Sequence, residues 1–138
     1  MMIKQLAHIN IGAYDLKASE DFYCNILGLK KIFEFIKDGE LFGFYAGTGN
    51  TTFVEVFLEE EKEKAATTLL HHLCLEVEDL EAAITEIRSK GWEISDKTLG
   101  GDNSWQAWIS DPSGVQIELM QYTNESSQFT GRPCEVDW

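Results

Sequence analysis

Basic residues are scarce in this chain. Eleven Lys and Arg stand against 24 Asp and Glu over 138 residues, a formal net charge of −13. A surface that acidic repels phosphate backbones and anionic lipid, which argues against nucleic-acid and membrane-surface roles. Long apolar runs are absent: nothing approaches the roughly 20 residues that span a bilayer. The N-terminal MMIKQLAHIN has no long apolar segment of the secretory kind. Cysteine is sparse, with Cys24, Cys74 and Cys134 odd in number and widely spaced. They read as free thiols in a reducing cytoplasm, not as a disulfide framework. With 43% hydrophobic and 25% charged residues, what remains is one compact globular domain, or two small modules sharing a core.

The chain repeats itself. HINIGAYDLKA from His8 aligns with HLCLEVEDLEA from His72 at an offset of 64, which sets Asp15 on Asp79 and Leu16 on Leu80. The offset then slips to 63, setting Gly28 on Gly91 and Glu55 on Glu118. The pattern is two copies of one unit of about 60 residues.

Each copy opens with a strand of alternating polarity, Leu6–Gly12 or His72–Val77. An aspartate suited to an N-cap follows, Asp15 or Asp79. A stretch with helical spacing comes next: Leu16, Phe22, Tyr23, Ile26 and Leu27, or Leu80, Ala83, Ile84 and Ile87. Gly28 and Gly91 stand where a C-cap glycine belongs. Three strands are expected after each helix: Lys31–Ile36, Leu41–Ala46 and Thr52–Leu58, then Trp92–Ser95, Trp105–Ser110 and Val115–Tyr122. The turn signals KDGE, GTGN, GGDN and DPSG separate them. The expected fold class is therefore α+β, two βαβββ modules in tandem. Module one covers 4–58, a charged solvated linker 59–70, and module two 71–122. A polar tail, 123–138, is expected to be mobile or draped, with Phe129 and Trp138 as candidate anchors.

Two of the three histidines, His8 and His72, occupy one register of the repeat, and Glu55 and Glu118 occupy another. Alternate side chains in a strand share a face. His8 and Asn10 therefore lie opposite Ile9 and Ile11, and His72 and Cys74 opposite Leu73 and Leu75. The Ile and Leu faces cover the amphipathic helices, so the histidines point away from them. Glu55 lies within FVEVF and Glu118 within VQIELM. A carboxylate in so apolar a strand is costly to bury unless it is paired, hydrogen-bonded or metal-bound. Two imidazoles and two carboxylates related by a pseudo-two-fold suit one divalent cation, with coordination positions left for substrate. His71 breaks the offset and is left out of this set.

These segments together resemble the vicinal oxygen chelate superfamily, which includes glyoxalase I and the bleomycin resistance and dioxygenase proteins. The resemblance covers about residues 4 to 122. It is carried by His8 with DLKASEDFYCNILGLK, VEVF around Glu55, HLCLEVEDLEAA from His72, and DPSGVQIELMQY around Glu118. It implies mixed sheets forming a half-open barrel around a metal site, and His8, Glu55, His72 and Glu118 as ligands of one divalent metal: Ni, Co, Mn, Zn or Fe. It also implies a glyoxalase-like lyase or isomerase, acting on an α-hydroxycarbonyl or a hemithioacetal. Removing a proton beside a carbonyl creates an enediolate, which a divalent metal stabilises as a Lewis acid. The base is expected to be Glu118, with Glu55 as ligand or reciprocal base.

In this family the site is completed within one chain or across a homodimer; a cytoplasmic homodimer with a small-molecule substrate is expected here. Two other readings stand beside it: an epimerase or Fe(II) dioxygenase of the same superfamily, and a non-catalytic, antibiotic-sequestering binding protein. Glutathione-using members place an arginine four residues after the first histidine, where this chain has Gly12 and, in the second copy, Glu76. With the net charge of −13, that argues against glutathione as the carrier. The aromatic residues Phe35, Phe42, Phe44, Phe53, Phe57, Trp105 and Trp108 suggest a partly apolar pocket, with Lys37, Lys97 and Arg132 as candidate cations.

Overall fold

The computed structural model describes residues 6, 8–60, 70 and 72–134. They form two compact units, Met1–His71 with Asp111–Val115, and His72–Ser110 with Gln116–Trp138. Most of the expected linker, along with His71 and Trp138, lies outside the described residues.

Unit 1 runs β1 (His8–Ala13), α1 (Leu16–Glu20), β2 (Lys30–Lys37), β3 (Glu40–Gly47) and β4 (Phe53–Leu58). Its sheet order is β1-β4-β3-β2. β1 lies parallel to β4, and the other pairs are antiparallel. The Asp15 carboxylate caps α1 by accepting the Ala18 N–H at 3.0 Å, which satisfies one of the first-turn donors that a helix leaves open. The spacing predicts an ordinary helix through Ile26. Instead α1 widens into a π-helical segment over Asp21–Ile26, where the Leu27 N–H donates to the Phe22 carbonyl at 2.9 Å. The wider turn sets the adjacent rings of Phe22 and Tyr23, both fully buried, beside Ile26.

These side chains pack with the alternate sheet residues Ile11, Ala13, Phe44, Ala46, Val54 and Val56 to make the core. The β2–β3 connection is a tight turn in which Asp38 (φ 53°) and Gly39 (φ 81°) are both left-handed. That is the Asp-Gly signature of a hairpin turn matched to the twist of its strands.

Unit 2 runs β5 (Leu73–Glu76), α2 (Leu80–Ser89), β6 (Thr98–Leu99), β7 (Trp105–Ser110) and β8 (Gln116–Gln121), in the order β5-β8-β7-β6. β5 is parallel to β8. Asp79 caps α2 through the Ala82 N–H at 3.0 Å, repeating the role of Asp15. Both units are thus βαβββ, and the chain's fold class is α+β as expected.

The strand expected at Trp92–Ser95 does not form; on that side of β7 the paired strand is Thr98–Leu99. The segment reaches β7 largely through side chains. Ser95 N–H donates to the Trp108 carbonyl (2.9 Å), Trp108 N–H donates to Ser95 Oγ (2.8 Å), and Trp92 Nε1 donates to the Ser110 carbonyl (3.1 Å). Side chains that satisfy the edge compete with a regular ladder. A cavity of about 1080 Å³, lined by Arg88, Trp92, Trp108 and Gln116 among others, lies there. The tail is draped over residues 123–131. The Ser127 N–H donates to the Asp102 carbonyl, Gln128 Nε2 to the Asp102 carboxylate, and the Ser104 hydroxyl to Ser126 Oγ. Phe129 is 65% exposed, and its ring centroid lies 5.0 Å from that of Tyr122.

The loop 111–115 belongs to unit 1. The Tyr23 hydroxyl donates to the Asp111 carboxylate at 3.0 Å, and the Ser113 and Val115 N–H groups donate to its other oxygen at 2.8 Å each. Burial pushes the Tyr23 hydroxyl well above the usual phenol range and also raises Asp111. Tyr23→Phe removes one donor from this buried carboxylate. It is expected to cost about 1–3 kcal/mol of stability, read as a lower urea midpoint at an unchanged slope; an unchanged midpoint would contradict this account.

Candidate functional site

The parallel strand pairs set the site. In unit 1 Asn10 lies directly opposite Glu55, so the glutamate sits across from the second residue after His8. In unit 2 Cys74 lies opposite Glu118, two residues after His72. Each histidine therefore meets its glutamate diagonally on one face. His8 Nε2 is 3.7 Å from Glu55 Oε2, and His72 Nε2 is 3.4 Å from Glu118 Oε2. The residue between them supports the carboxylate. Asn10 Nδ2 donates to Glu55 Oε2 at 3.0 Å, and the Cys74 thiol is hydrogen-bonded to Glu118. Across the other neighbouring strand, Tyr45 lies opposite Glu55 and Trp108 opposite Glu118. Each ring meets its histidine edge-on, at centroid distances of 5.8 Å for Tyr45–His8 and 5.0 Å for Trp108–His72. Histidine, supporting donor, glutamate and aromatic ring thus recur in both units.

The two carboxylates differ in setting. Glu118 is only 6% exposed. Burial pushes its pKa up, partly offset by His72 and by the Cys74 hydrogen bond. The Cys74 thiol is pushed up to about 12, first by burial and then by the Glu118 charge. The surrounding walls differ as well. On the Glu55 face of unit 1, Tyr45 stacks on Phe33 (4.7 Å) and Phe53 (4.9 Å), while Phe57 meets Phe35 (4.8 Å) and Phe42 (5.0 Å). On the Glu118 face of unit 2 Gln116 and Met120 replace Phe53 and Phe57, and Ser110 and Gln106 lie opposite them where unit 1 has Gly47 and Gly43.

The sequence-based candidates fall as follows. His8 is brought to Glu55 and His72 to Glu118; among the described residues, no group of three or more His, Cys, Asp and Glu side chains is gathered to hold an ion. Phe35, Phe42, Phe53 and Phe57 lie in the aromatic wall, but Phe44 is in the core at 1% exposure, because it falls on the helix-covered face. Trp108 borders His72, whereas Trp105 carries the Lys97 ammonium over its ring. Arg132 is paired with Glu125. Asn10, Cys74 and Tyr45 also belong to the site and are not among the sequence-based candidates. The repeat carried the signal, since offsets of 64 and 63 set Asn10 on Cys74 and Tyr45 on Trp108.

As a donor set, the pairs fit a divalent cation. Two ligand atoms each about 2.1 Å from one ion lie roughly 3.0–3.4 Å apart, close to the observed imidazole–carboxylate separations of 3.7 and 3.4 Å.

Comparison with known proteins gives the family. The Glyoxalase/Bleomycin resistance protein/Dioxygenase superfamily matches residues 5–119, and the chain belongs to that superfamily. A probable lactoylglutathione lyase of Synechocystis sp. is 29% identical over 136 residues, covering 87% of this chain and 97% of that protein. Among solved structures, a glyoxalase family protein from Enterococcus faecalis superposes with a TM-score of 0.74 at 22% identity, covering 87% of this chain and 99% of the other. An antibiotic binding protein from a Streptomyces species superposes with a TM-score of 0.71 at 20% identity, covering 89% and 99%. These likenesses show the fold. No helix among the described residues is long and apolar enough to cross a membrane.

The raised pKa of Glu118 fixes a pH dependence. An acid whose pKa is raised by folding contributes stability below its unfolded value, about 4.3 for glutamate, and loses that contribution as pH rises through the folded value. In metal-free protein, Glu118→Gln is therefore expected to gain stability relative to the parent between pH 4 and pH 7. Urea unfolding at both pH values checks this, and a difference that stays constant or moves the other way would refute it.

Proposed function

We propose that the chain is a glyoxalase-like metal-dependent lyase or isomerase that moves a proton on an α-hydroxycarbonyl or hemithioacetal. The observation that supports it best is the recurrence, in a member of this superfamily, of one His–Glu pairing at matching strand positions in both sheets. His8, Glu55, His72 and Glu118 are the proposed ligands. A divalent cation held by such a set supplies Lewis-acid stabilisation of negative charge on two adjacent substrate oxygens.

The rest falls to the chain's own groups. Glu118 takes the proton from the carbon beside the carbonyl and returns it to the neighbouring carbon. Its burial favours this role, since a carboxylate with a raised pKa is a stronger base than an exposed one. Glu55, fixed by Asn10, serves as ligand or reciprocal base. Glutathione is disfavoured as carrier: a Cβ on Gly12 would lie 3.1 Å from Glu59 Cβ, so an arginine there would need that side chain to move. A homodimer is the proposed assembly, supported by the edge strand β2, where Ile32 and Ile36 are 47% and 62% exposed. Three free cysteines accord with a cytoplasmic setting.

Two measurements test the reading. Divalent-metal titration of purified protein is expected to give about one ion per chain, with binding lost in His72→Ala; half-occupancy retained in that variant would overturn a single centre built on both pairs. Incubation of candidate α-hydroxycarbonyls in heavy water is expected to incorporate deuterium. Glu118→Gln should lower that exchange by about 10²–10⁴-fold while metal stays bound, and unchanged exchange would reject Glu118 as the base. Oxygen consumption in place of exchange would point to a dioxygenase, and absence of metal binding to sequestration.

A further inference from the structure

The aromatic wall of unit 1 is not required by its fold. The core lies on the opposite face of the sheet, under α1, and includes none of these rings. In unit 2, of the same topology, Gln116 and Met120 stand where Phe53 and Phe57 stand in unit 1, while Trp108 and Trp105 stand in register with Tyr45 and Phe42. The wall is also closely fitted. Phe57 lies opposite Gly43, and a Cβ on Gly43 would come within 2.7 Å of the Phe57 ring and 2.2 Å of the Val56 carbonyl. Only glycine leaves that ring its place on the strand. From Tyr45, opposite Glu55, the rings of Phe35, Phe57 and Phe42 follow one another at centroid spacings of 6.2, 4.8 and 5.0 Å. At the end of the row the Lys37 ammonium stands 5.0 Å over the Phe42 ring. It pairs with no carboxylate among the described residues. Tyr45 and Phe42 are three residue steps apart on β3, about 10 Å of strand.

We infer that this face of unit 1 binds a molecule with a flat apolar body on the aromatic row and an anionic group at its far end, held by Lys37. The inference rests on the reading of His8 and Glu55 as the reactive end, and it adds the class of substrate: an aryl or similarly flat apolar hydroxycarbonyl bearing a remote carboxylate. The rings give contact area and stacking. In a chain of net charge −13 most of the surface repels an anion, and a lysine at the end of an apolar row gives that anion one place to settle.

The test uses metal-free protein and no turnover, so its failure leaves the proton-transfer reading standing, and failure of deuterium exchange removes the hydroxycarbonyl end of the ligand but leaves the binding of a flat apolar anion to this face standing. The probes are naphthylacetate and its neutral counterpart naphthylethanol, titrated while the ring resonances of Tyr45 and Phe57 are followed by NMR. Both are expected to shift those resonances saturably, with the carboxylate the tighter ligand. Lys37→Gln is expected to weaken naphthylacetate about fivefold and to leave naphthylethanol unchanged. Absence of saturable shifts at Tyr45 and Phe57, equal affinity of the two probes, or a Lys37→Gln variant that binds naphthylacetate as tightly as the parent would each overturn the inference.

Discussion

The site depends on one constraint, the register of two parallel strand pairs. Glu55 faces Asn10 and Glu118 faces Cys74. Because side chains alternate along a strand, a slip of one residue would send both glutamates to the helix side and bring Val54 or Val56, and Ile117 or Leu119, into their place. The buried face opposes that slip. It would expose four aliphatic residues and bury two carboxylates without partners, a change of several kcal/mol in the wrong direction. The hydrophobic core therefore fixes where the polar site lies. The caps at Asp15 and Asp79 begin the two helices at matching points of the repeat, and the helices cover the faces that enforce the register.

Duplication gives both units the same polar arrangement, but not the same electrostatics. Asn10 offers Glu55 an amide donor at 3.0 Å. Cys74 offers Glu118 a thiol, which is a weaker donor. Glu118 is also the more deeply placed, and burial is the largest influence on its pKa. A weakly held, desolvated carboxylate gains most by accepting a proton, so the two halves of a symmetric sequence suit different duties.

Much of this was legible in the sequence, for a specific reason: internal repetition supplies a second observation of each position. His8 or Glu55 alone is an ordinary strand residue, and only its counterpart at a fixed offset lends it weight. Strands β3, β4, β7 and β8 were legible from period-two alternation over six or more residues. The four residues of Trp92–Ser95 carry the same alternation but too little of it. There Ser95 and Trp92 satisfy β7 partly by side chains, an arrangement that a polarity pattern does not encode. The widened turn at Asp21–Ile26 was hidden similarly, because the apolar spacing fits an α-helix nearly as well. Asn10 and Cys74 are not legible in the same way, because an amide or a thiol in a strand carries no charge signal, and their part is to hydrogen-bond Glu55 and Glu118.

The units diverge in their walls while repeating their donors. A chain of this fold can carry lyase chemistry or sequester a small molecule, so the fold alone does not fix what it does. The donors repeat between the units, and the residues around them do not. In unit 1 Phe53 and Phe57 flank Glu55 along its strand, with Phe57 against Gly43; in unit 2 an amide and a thioether, Gln116 and Met120, flank Glu118. Substitutions in the rings leave the helix-covered core untouched, since the two faces of the sheet share a backbone but not their side-chain contacts. That separation lets such a sheet change its ligand without disturbing the register that holds its glutamates in place.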